Sequence, residues 1–471
     1  MGDPYRQSLS APPPFERTPP TLHQPVRATV AGWLVRNVLR PAWSWRVETV
    51  AAILLAVVWA VLAGSLGRLW GSLAFASLVL SAPAWPPLVR DRARLILHRS
   101  AVRRHWLQAV RHAGLATYSD RVPKPVRIEP IPAGDLMRVQ IPAGRRTSEL
   151  AEAAETVAAC LAVREIRVNR DLANARFAEV TIVRRDPLSE YPSLGWPELL
   201  APRLSLWEPI PVGVDEDGIW VTVSLPERNV LIGGEPGAGK SVAASMLVAS
   251  AALDPEVDLI LLDGKRVELA TWVGCAERIV GPSLDDAIDT LREVQAELDG
   301  RLLRLLADRR RKFSKGAGIR PLVIVVDELA YYCTGPDRRQ CTEFSQLLRD
   351  IVSRGRAPGI IVIAATQKPS GDTVPTYLRD LFGFRWALRC STPQASDTIL
   401  GAGWASMGYS AATIDSAERG VGFLLHEGDR PVRLRTCYLS DDDLEILGRR
   451  AEHLRAVSRD DREPLPPSGL S

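Results

Sequence analysis

Hydrophobic residues are distributed along this chain in three different ways. From Val47 to Val89 they run almost without interruption: VETVAAILLAVVWAVLAGSLGRLWGSLAFASLVLSAPAWPPLV carries charge only at Glu48 and Arg68. Thr49–Leu66 is 18 residues and Leu69–Val89 is 21, each close to the helical length that crosses about 30 Å of hydrocarbon. Gly67-Arg68 is the natural turn between them, and Trp59, Trp70 and Trp85 are placed to act as interfacial anchors. The expected element is an N-terminal two-helix transmembrane anchor over 46–90. A buried hairpin of a soluble domain and a single re-entrant insertion would leave the same run.

The second regime alternates short strand and helix patterns. MRVQIPAG (137–144) is strand-like, SELAEAAETVAACLA (148–162) helix-like, and EIRVNRD (165–171) and FAEVTIVRR (177–185) strand-like again. This predicts a small α+β module within 91–204. A basic helix over 91–115 leads into it, and a Pro- and Trp-rich linker from Pro187 to Pro211 leads out. The module holds no catalytic constellation, so its expected role is structural. In the third regime, from 220 onward, apolar strands alternate with helices, which predicts an α/β domain with a mainly parallel sheet over 205–440. SDDDLEILGRRAEHLRAV predicts one more helix within 441–471. Residues 1–45, with Pro12, Pro13, Pro14, Pro19 and Pro20 and few aliphatic runs before Val30, are expected to form a mobile tail.

Composition changes this picture only at the margins. The hydrophobic fraction of 46% and charged fraction of 24% are ordinary for a globular chain, and a net charge of +4 over 471 residues is too weak to argue for nucleic acid. The six cysteines lie far apart without a Cys-x-x-Cys pair, and the six histidines are scattered. That excludes a zinc cluster or a small disulfide framework and favours a reducing compartment. Arg36, Arg40 and Arg46 precede the apolar run and Arg90, Arg92, Arg94 and Arg99 follow it. Positive charge on both flanks places both in the cytoplasm, so the expected location is the cell membrane, with the N-terminus and the motor on the cytoplasmic side.

The chemistry is concentrated in the third regime. RNVLIGGEPGAGKSVAASML contains Gly234-Glu235-Pro236-Gly237-Ala238-Gly239-Lys240-Ser241, a full match to G-x-x-x-x-G-K-[ST], with a strand before it and an Ala-rich helix after it, and these eight residues with Val242 are the expected nucleotide-binding set. Glycines let successive backbone N–H groups wrap a phosphate without Cβ clashes, and the helix directs its positive end at the same anion. Lys240 is then the residue to bridge the outer phosphates of ATP, and the Ser241 hydroxyl a ligand for Mg²⁺. PLVIVVDELAYY (321–332) supplies the expected partner, a strand of apolar β-formers ending in Asp327 and Glu328. Asp327 would hold the magnesium and Glu328 would polarise the attacking water. VDLILLDGKRVEL (257–269) ends a strand with Asp263, Lys265 and Glu268, read either as part of the site or as a solvated loop. GIIVIAATQKPS (359–370) ends another with Thr366 and Gln367, and Gln367 is the candidate sensor of the terminal phosphate.

At these residues the chain resembles the FtsK/SpoIIIE family of ring-forming DNA translocases, in the HerA-like branch of P-loop ATPases. The resemblance covers roughly 205–440. It rests on the ordered set GEPGAGKS, DGKRVEL, VVDELA, SRGRAPGIIVIAATQKPS, FRWALR, SDTILG and RGVGFLL. It implies a RecA-like motor, a homo-oligomer in the form of a hexameric ring, and ATP hydrolysis between subunits around threaded double-stranded DNA. Arg356 and Arg385 stand in shared motifs and are the candidates for an arginine offered to a neighbour's site. Arg309-Arg310-Arg311-Lys312-Phe313-Ser314-Lys315 and Arg379 are candidates for tracking phosphates in the pore, or else a solvated helix end. Gly264 stands where the family commonly places Pro, and two spans stand where it has four. With about 30 residues after Leu439, the winged-helix domain that reads orienting sequences in larger members is not expected. Chain size and domain order look like the FtsK-like transfer proteins of actinobacterial plasmids and integrative elements. The expected function is a membrane-anchored ATP-driven DNA translocase for conjugative transfer or chromosome movement; the alternative is an FtsK-like ATPase of a type VII protein-secretion system.

Overall fold

The computed structural model describes residues 46–81, 86–190, 193–316, 318–367, 369–371 and 373–460. The expected tail at 1–45, Arg36, Arg40, Trp85 and the segment 461–471 lie outside the described residues. The chain divides into two compact units, Met1–Ala116 and Thr117–Ser471.

In the first unit, α1 (Arg46–Leu66) and α2 (Arg68–Leu80) pack against each other as a helical hairpin. Gly67 makes the turn alone, at φ 82°. The helices lie close because Gly71 faces Ala63, where an added Cβ would come within 2.5 Å of the Ala63 Cα; Trp59 Nε1 donates to Ser72 Oγ across the pair at 3.2 Å. Within α1, Glu48–Leu66 (19 residues, mean hydropathy 2.4) is long and apolar enough to cross a membrane. The second expected span is not a helix of 21 residues: α2 has 13, about 20 Å. The next helix, α3 (Pro87–His112), starts afresh with proline at its first position, because prolines at 86 and 87 lack the N–H that would continue a helix from before them. Arg104 of α3 pairs with Glu48, and Ser100 donates to the same carboxylate at 3.3 Å, so the acid of the apolar run has a cation and a hydroxyl on its two oxygens.

The second unit contains two sheets among the described residues. The smaller is antiparallel in the order β1-β2-β4-β3, from β1 (Lys124–Ile131), β2 (Gly134–Gln140), β3 (Glu165–Arg170) and β4 (Phe177–Val183). The expected single helix is two, α4 (Thr147–Glu152) and α5 (Ala154–Leu161). Strand β1 is not visible in the sequence pattern, since KPVRIEPI places two prolines in a strand. Both are tolerated because β1 is an edge strand, and its register slips between Pro125 and Arg127. The module docks on the motor through Arg167, whose Nη1 lies 3.3 Å from Asp217 Oδ1, and through Ala133 N–H, which donates to Asp217 O at 3.2 Å.

The larger sheet runs β6-β5-β14-β13-β12-β7-β11-β10-β8-β9. Its strands are β5 (Ile210–Asp215), β6 (Trp220–Val223), β7 (Val230–Gly233), β8 (Asp258–Leu262), β9 (Arg278–Val280), β10 (Leu322–Val326), β11 (Ile360–Thr366), β12 (Phe384–Leu388), β13 (Val421–His426) and β14 (Val432–Thr436). From β12 to β9 all pairs are parallel; β13, β14, β5 and β6 extend one side with antiparallel pairs. Every residue of β7, β10 and β11 is buried, which is why these strands read as unbroken apolar runs: a parallel sheet covered on both faces has no polar side. On its faces lie α6 (Lys240–Ala252), α7 (Leu284–Ala307), α8 (Arg338–Arg354) and α9 (Asp441–Asp460). The stretch read as a linker is anchored in the motor instead: Leu188, Trp196 and Leu206 are buried in its core, and Trp196 Nε1 donates to Pro211 O at 2.9 Å. Helix α9 also belongs to the motor. Arg455, 4% exposed, donates to the carbonyls of Ala251, Ala252 and Asp254 at the end of α6, where a cation suits the negative helix end.

Asn229 ties this sheet to α8. Its buried amide donates to Val352 O at 3.0 Å and accepts from Val362 N–H at 2.8 Å. Asn229→Ala leaves two buried backbone groups unpaired, at about 1–3 kcal/mol each. A loss of about 2–6 kcal/mol is expected in urea unfolding followed by tryptophan fluorescence.

Candidate functional site

The carboxyl ends of β7, β11, β10 and β8 lie side by side, and each carries polar residues out of the sheet. After β7 the chain turns through the glycine loop. Gly237 at φ 77° and Gly239 at φ 104° adopt a backbone that favours residues without a Cβ. Gly239 has a second reason to be glycine, because an added Cβ would come within 3.1 Å of the Gly420 Cα. Gly420 N–H in turn donates to Ala238 O at 3.0 Å, clasping the loop from the segment before β13. Helix α6 begins at Lys240 with its N-terminal end on the cleft.

Strand β11 lies between β7 and β10, yet Lys240 and Asp327 meet. Lys240 Nζ is 3.1 Å from Asp327 O and 3.3 Å from Asp327 Oδ1, and both residues are 3% exposed. Burial pushes the Asp327 carboxyl above its ordinary value; the Lys240 ammonium opposes that shift and the Glu268 carboxylate adds to it. Asp327 Oδ2 is buried without a hydrogen-bond partner. A hydroxyl at 241 and a carboxylate with an unused oxygen at 327 suit a hard divalent cation such as Mg²⁺. Glu328 is oriented from β11: Thr366 Oγ1 donates to its Oε1 at 3.0 Å, and Gln367 N–H donates to the two oxygens at 3.0 and 3.2 Å. Gln367 thus reaches the site through its backbone as well as lining the cleft.

The segment after β8 joins the same cluster. Asp263 is structural: its carboxylate accepts from the N–H groups of Lys265, Arg266 and Leu269 at 2.8–3.0 Å. It holds a turn that presents Lys265, 3.8 Å from Glu328, and Glu268, which accepts from Ser241 Oγ at 2.9 Å. Gly264 packs on the Tyr331 ring, whose atoms lie 3.0 Å from where a Cβ would stand.

A cavity of about 350 Å³ extends from the glycine loop past Lys240, Ser241 and Val242 to Tyr438, with Arg419 and Arg435 on its wall. Glu235 and Pro236 line its mouth. Gly420 stands in the RGVGFLL motif without an assigned place, and no sequence pattern points to Arg435 or Tyr438, because all three come from the antiparallel extension of the sheet. Arg389 was equally hidden. It follows β12, its side chain is 2.8 Å from Glu235, and its carbonyl accepts from Glu235 N–H at 2.9 Å.

The other basic candidates lie elsewhere. Arg385 is near the amino end of β12, opposite Leu231 rather than the glycine loop. It sits 3.3 Å from Asp380, and burial, aided by Arg379, lowers its pKa below the usual guanidinium range. Arg356 precedes β11 at the same edge, 3.6 Å from Glu427. Arg379 is buried and bonded to Asp380 at 2.8 Å, which does not suit a surface that tracks DNA. In the stretch 309–315, Arg309, Arg310 and Arg311 are exposed, but Lys312 pairs with Glu227 at 2.6 Å and Phe313 is buried against Trp207.

Residues 206–406 match the FtsK/SpoIIIE family. Among curated proteins, the DNA translocase FtsK of Lactococcus lactis subsp. cremoris is 26% identical over 346 residues, covering 66% of this chain and 42% of that protein. The DNA translocase FtsK of Chlorobaculum tepidum is 29% identical over 245 residues, 46% of this chain and 28% of that one. The chain therefore spans less than half the length of these relatives. Among solved structures, the pCW3 conjugation coupling protein TcpA, a monomer form with ATPγS, superposes with a TM-score of 0.50 at 16% identity, over 75% of this chain and 99% of its own. That likeness is one of fold.

Proposed function

With an FtsK/SpoIIIE-family P-loop ATPase domain at residues 206–406 as the starting point, we propose that the chain is a membrane-anchored motor that uses ATP to move double-stranded DNA, in conjugative transfer or chromosome movement. The observation that carries this reading is that Lys240 meets Asp327 beside the glycine loop, while Ser241 bonds Glu268 and Lys265 stands between Glu268 and Glu328. The relatives named above are DNA translocases, which favours DNA as the cargo.

Bound Mg-ATP would supply a phosphoanhydride, rich in repelling negative charge, and a cation that offsets charge on its terminal oxygens. The protein's part is positioning. Backbone N–H groups of Gly237, Gly239, Lys240 and Ser241 would cradle the phosphates, those of Gly234, Glu235 and Ala238 being bonded to the carbonyls of Thr366, Arg389 and Glu235, and Lys240 would leave Asp327 for the outer phosphates. Ser241 and Asp327 would hold the magnesium. Glu328, kept in place by Thr366 and Gln367, accepts the proton of the attacking water, and Gln367 reports the presence of the terminal phosphate. Arg356 and Arg385 lie at the sheet edge away from their own glycine loop, so they serve a neighbouring subunit in a hexameric ring. The apolar segment, in which α1 is long enough to cross a membrane, holds this ring at the cell membrane, with the motor in the cytoplasm.

The test is ATP turnover with and without duplex DNA. A fragment should begin at Thr117 rather than near 200, because Leu188 and Trp196 are core residues. Stimulation by duplex DNA and displacement of a triplex-forming strand are expected. Turnover indifferent to DNA, with no displacement, would overturn DNA as cargo and turn attention to a protein substrate.

A further inference from the structure

The segment after β8 is drawn into the nucleotide cleft by contacts that the proposed mechanism does not use. Ser241, the hydroxyl that serves the cation, donates its hydrogen to Glu268 Oε2 at 2.9 Å. Lys265 Nζ stands 3.8 Å from the other oxygen of Glu268 and 3.8 Å from Glu328. The turn is fixed from within: Asp263 binds three of its N–H groups, and Leu269, next to Glu268, is buried. The Glu268 carboxylate is therefore held by its own loop.

Resting on the reading of this cleft as a magnesium–nucleotide site, we propose that Glu268 is a positioning residue for the metal. By taking the Ser241 hydrogen it leaves the hydroxyl lone pairs directed at the cation, and Lys265 fixes its second oxygen. A hydroxyl whose hydrogen is already committed to a carboxylate is a better donor to a cation, and groups that orient a ligand in this way contribute about 10–100-fold in metal affinity. One further observation points the same way. Asp327, which contacts Lys240 next to Ser241 in the chain, is 3% exposed and its Oδ2 is buried and unpartnered. A divalent cation relieves a buried carboxylate oxygen of that kind. The opposite possibility, that Glu268 occupies Ser241 and obstructs the metal, predicts the opposite sign.

The experiment is a titration of the full chain, in detergent, with MgCl₂ in the presence of a fluorescent non-hydrolysable ATP analogue. Glu268→Ala is expected to raise the magnesium midpoint about 10–100-fold while leaving analogue binding in EDTA unchanged. Glu268→Gln, which keeps an acceptor oxygen but no charge, is expected between wild type and alanine. In a Ser241→Ala background the same Glu268→Ala change should add little, because the hydrogen bond is already gone. A midpoint unchanged or lowered in Glu268→Ala, or an equal further loss on top of Ser241→Ala, would overturn the assignment. A wild-type chain that binds no analogue at all would instead defeat the nucleotide reading beneath it.

Discussion

Lys240→Ala is expected to abolish ATP turnover, with a loss of at least about 10²–10³-fold, the usual effect of removing one group that stabilises developing charge. It is also expected to lower stability. Lys240 is paired with Asp327, and both are buried; removing one partner of such a pair leaves a desolvated charge at about 3–5 kcal/mol. Part of that loss disappears if Asp327 takes up a proton, which its upward-shifted pKa favours. The two effects separate in the double variant. Lys240→Ala with Asp327→Asn should recover the melting temperature and remain inactive. Calorimetry and a phosphate-release assay read the two results, and substantial turnover in Lys240→Ala would contradict the assignment of the site.

Glu328→Gln is the second large effect. The neutral amide still accepts from Thr366 Oγ1 and Gln367 N–H through one oxygen, so the local structure is expected to survive. What goes is the charge that accepts a proton, and general-base loss slows turnover by about 10²–10⁴-fold. Binding of ATP should be unchanged or tighter, since Lys240, Ser241 and Asp327 are untouched. A filter-binding assay beside single-turnover hydrolysis distinguishes this outcome from simple misfolding, which would remove both.

Much of this site was legible beforehand because each of its parts is a local pattern. A glycine loop between strand and helix, and an apolar strand ending in Asp-Glu, announce themselves within a dozen residues. Unbroken apolar runs likewise gave the central strands, since burial on both faces leaves no alternation to misread. What stayed hidden depends on distant pairing. Strand β1 is disguised by prolines that only an edge position permits. Gly420 and Arg389 matter because β13 and β12 bring them to the glycine loop, and no spacing along the chain foretells that. The segment from Pro187 to Pro211 looked like a linker on composition, yet Trp196 and Leu206 fill the core. The second apolar helix looked long enough when residues were counted, but prolines at 86 and 87 start a new one.

The grip of Arg455 on the end of α6 carries a mechanical corollary. One end of that rod, 13 residues long, borders the glycine loop, and the other is bolted to the chain's final described helix. A load applied to that last helix would reach the loop without crossing a slack joint.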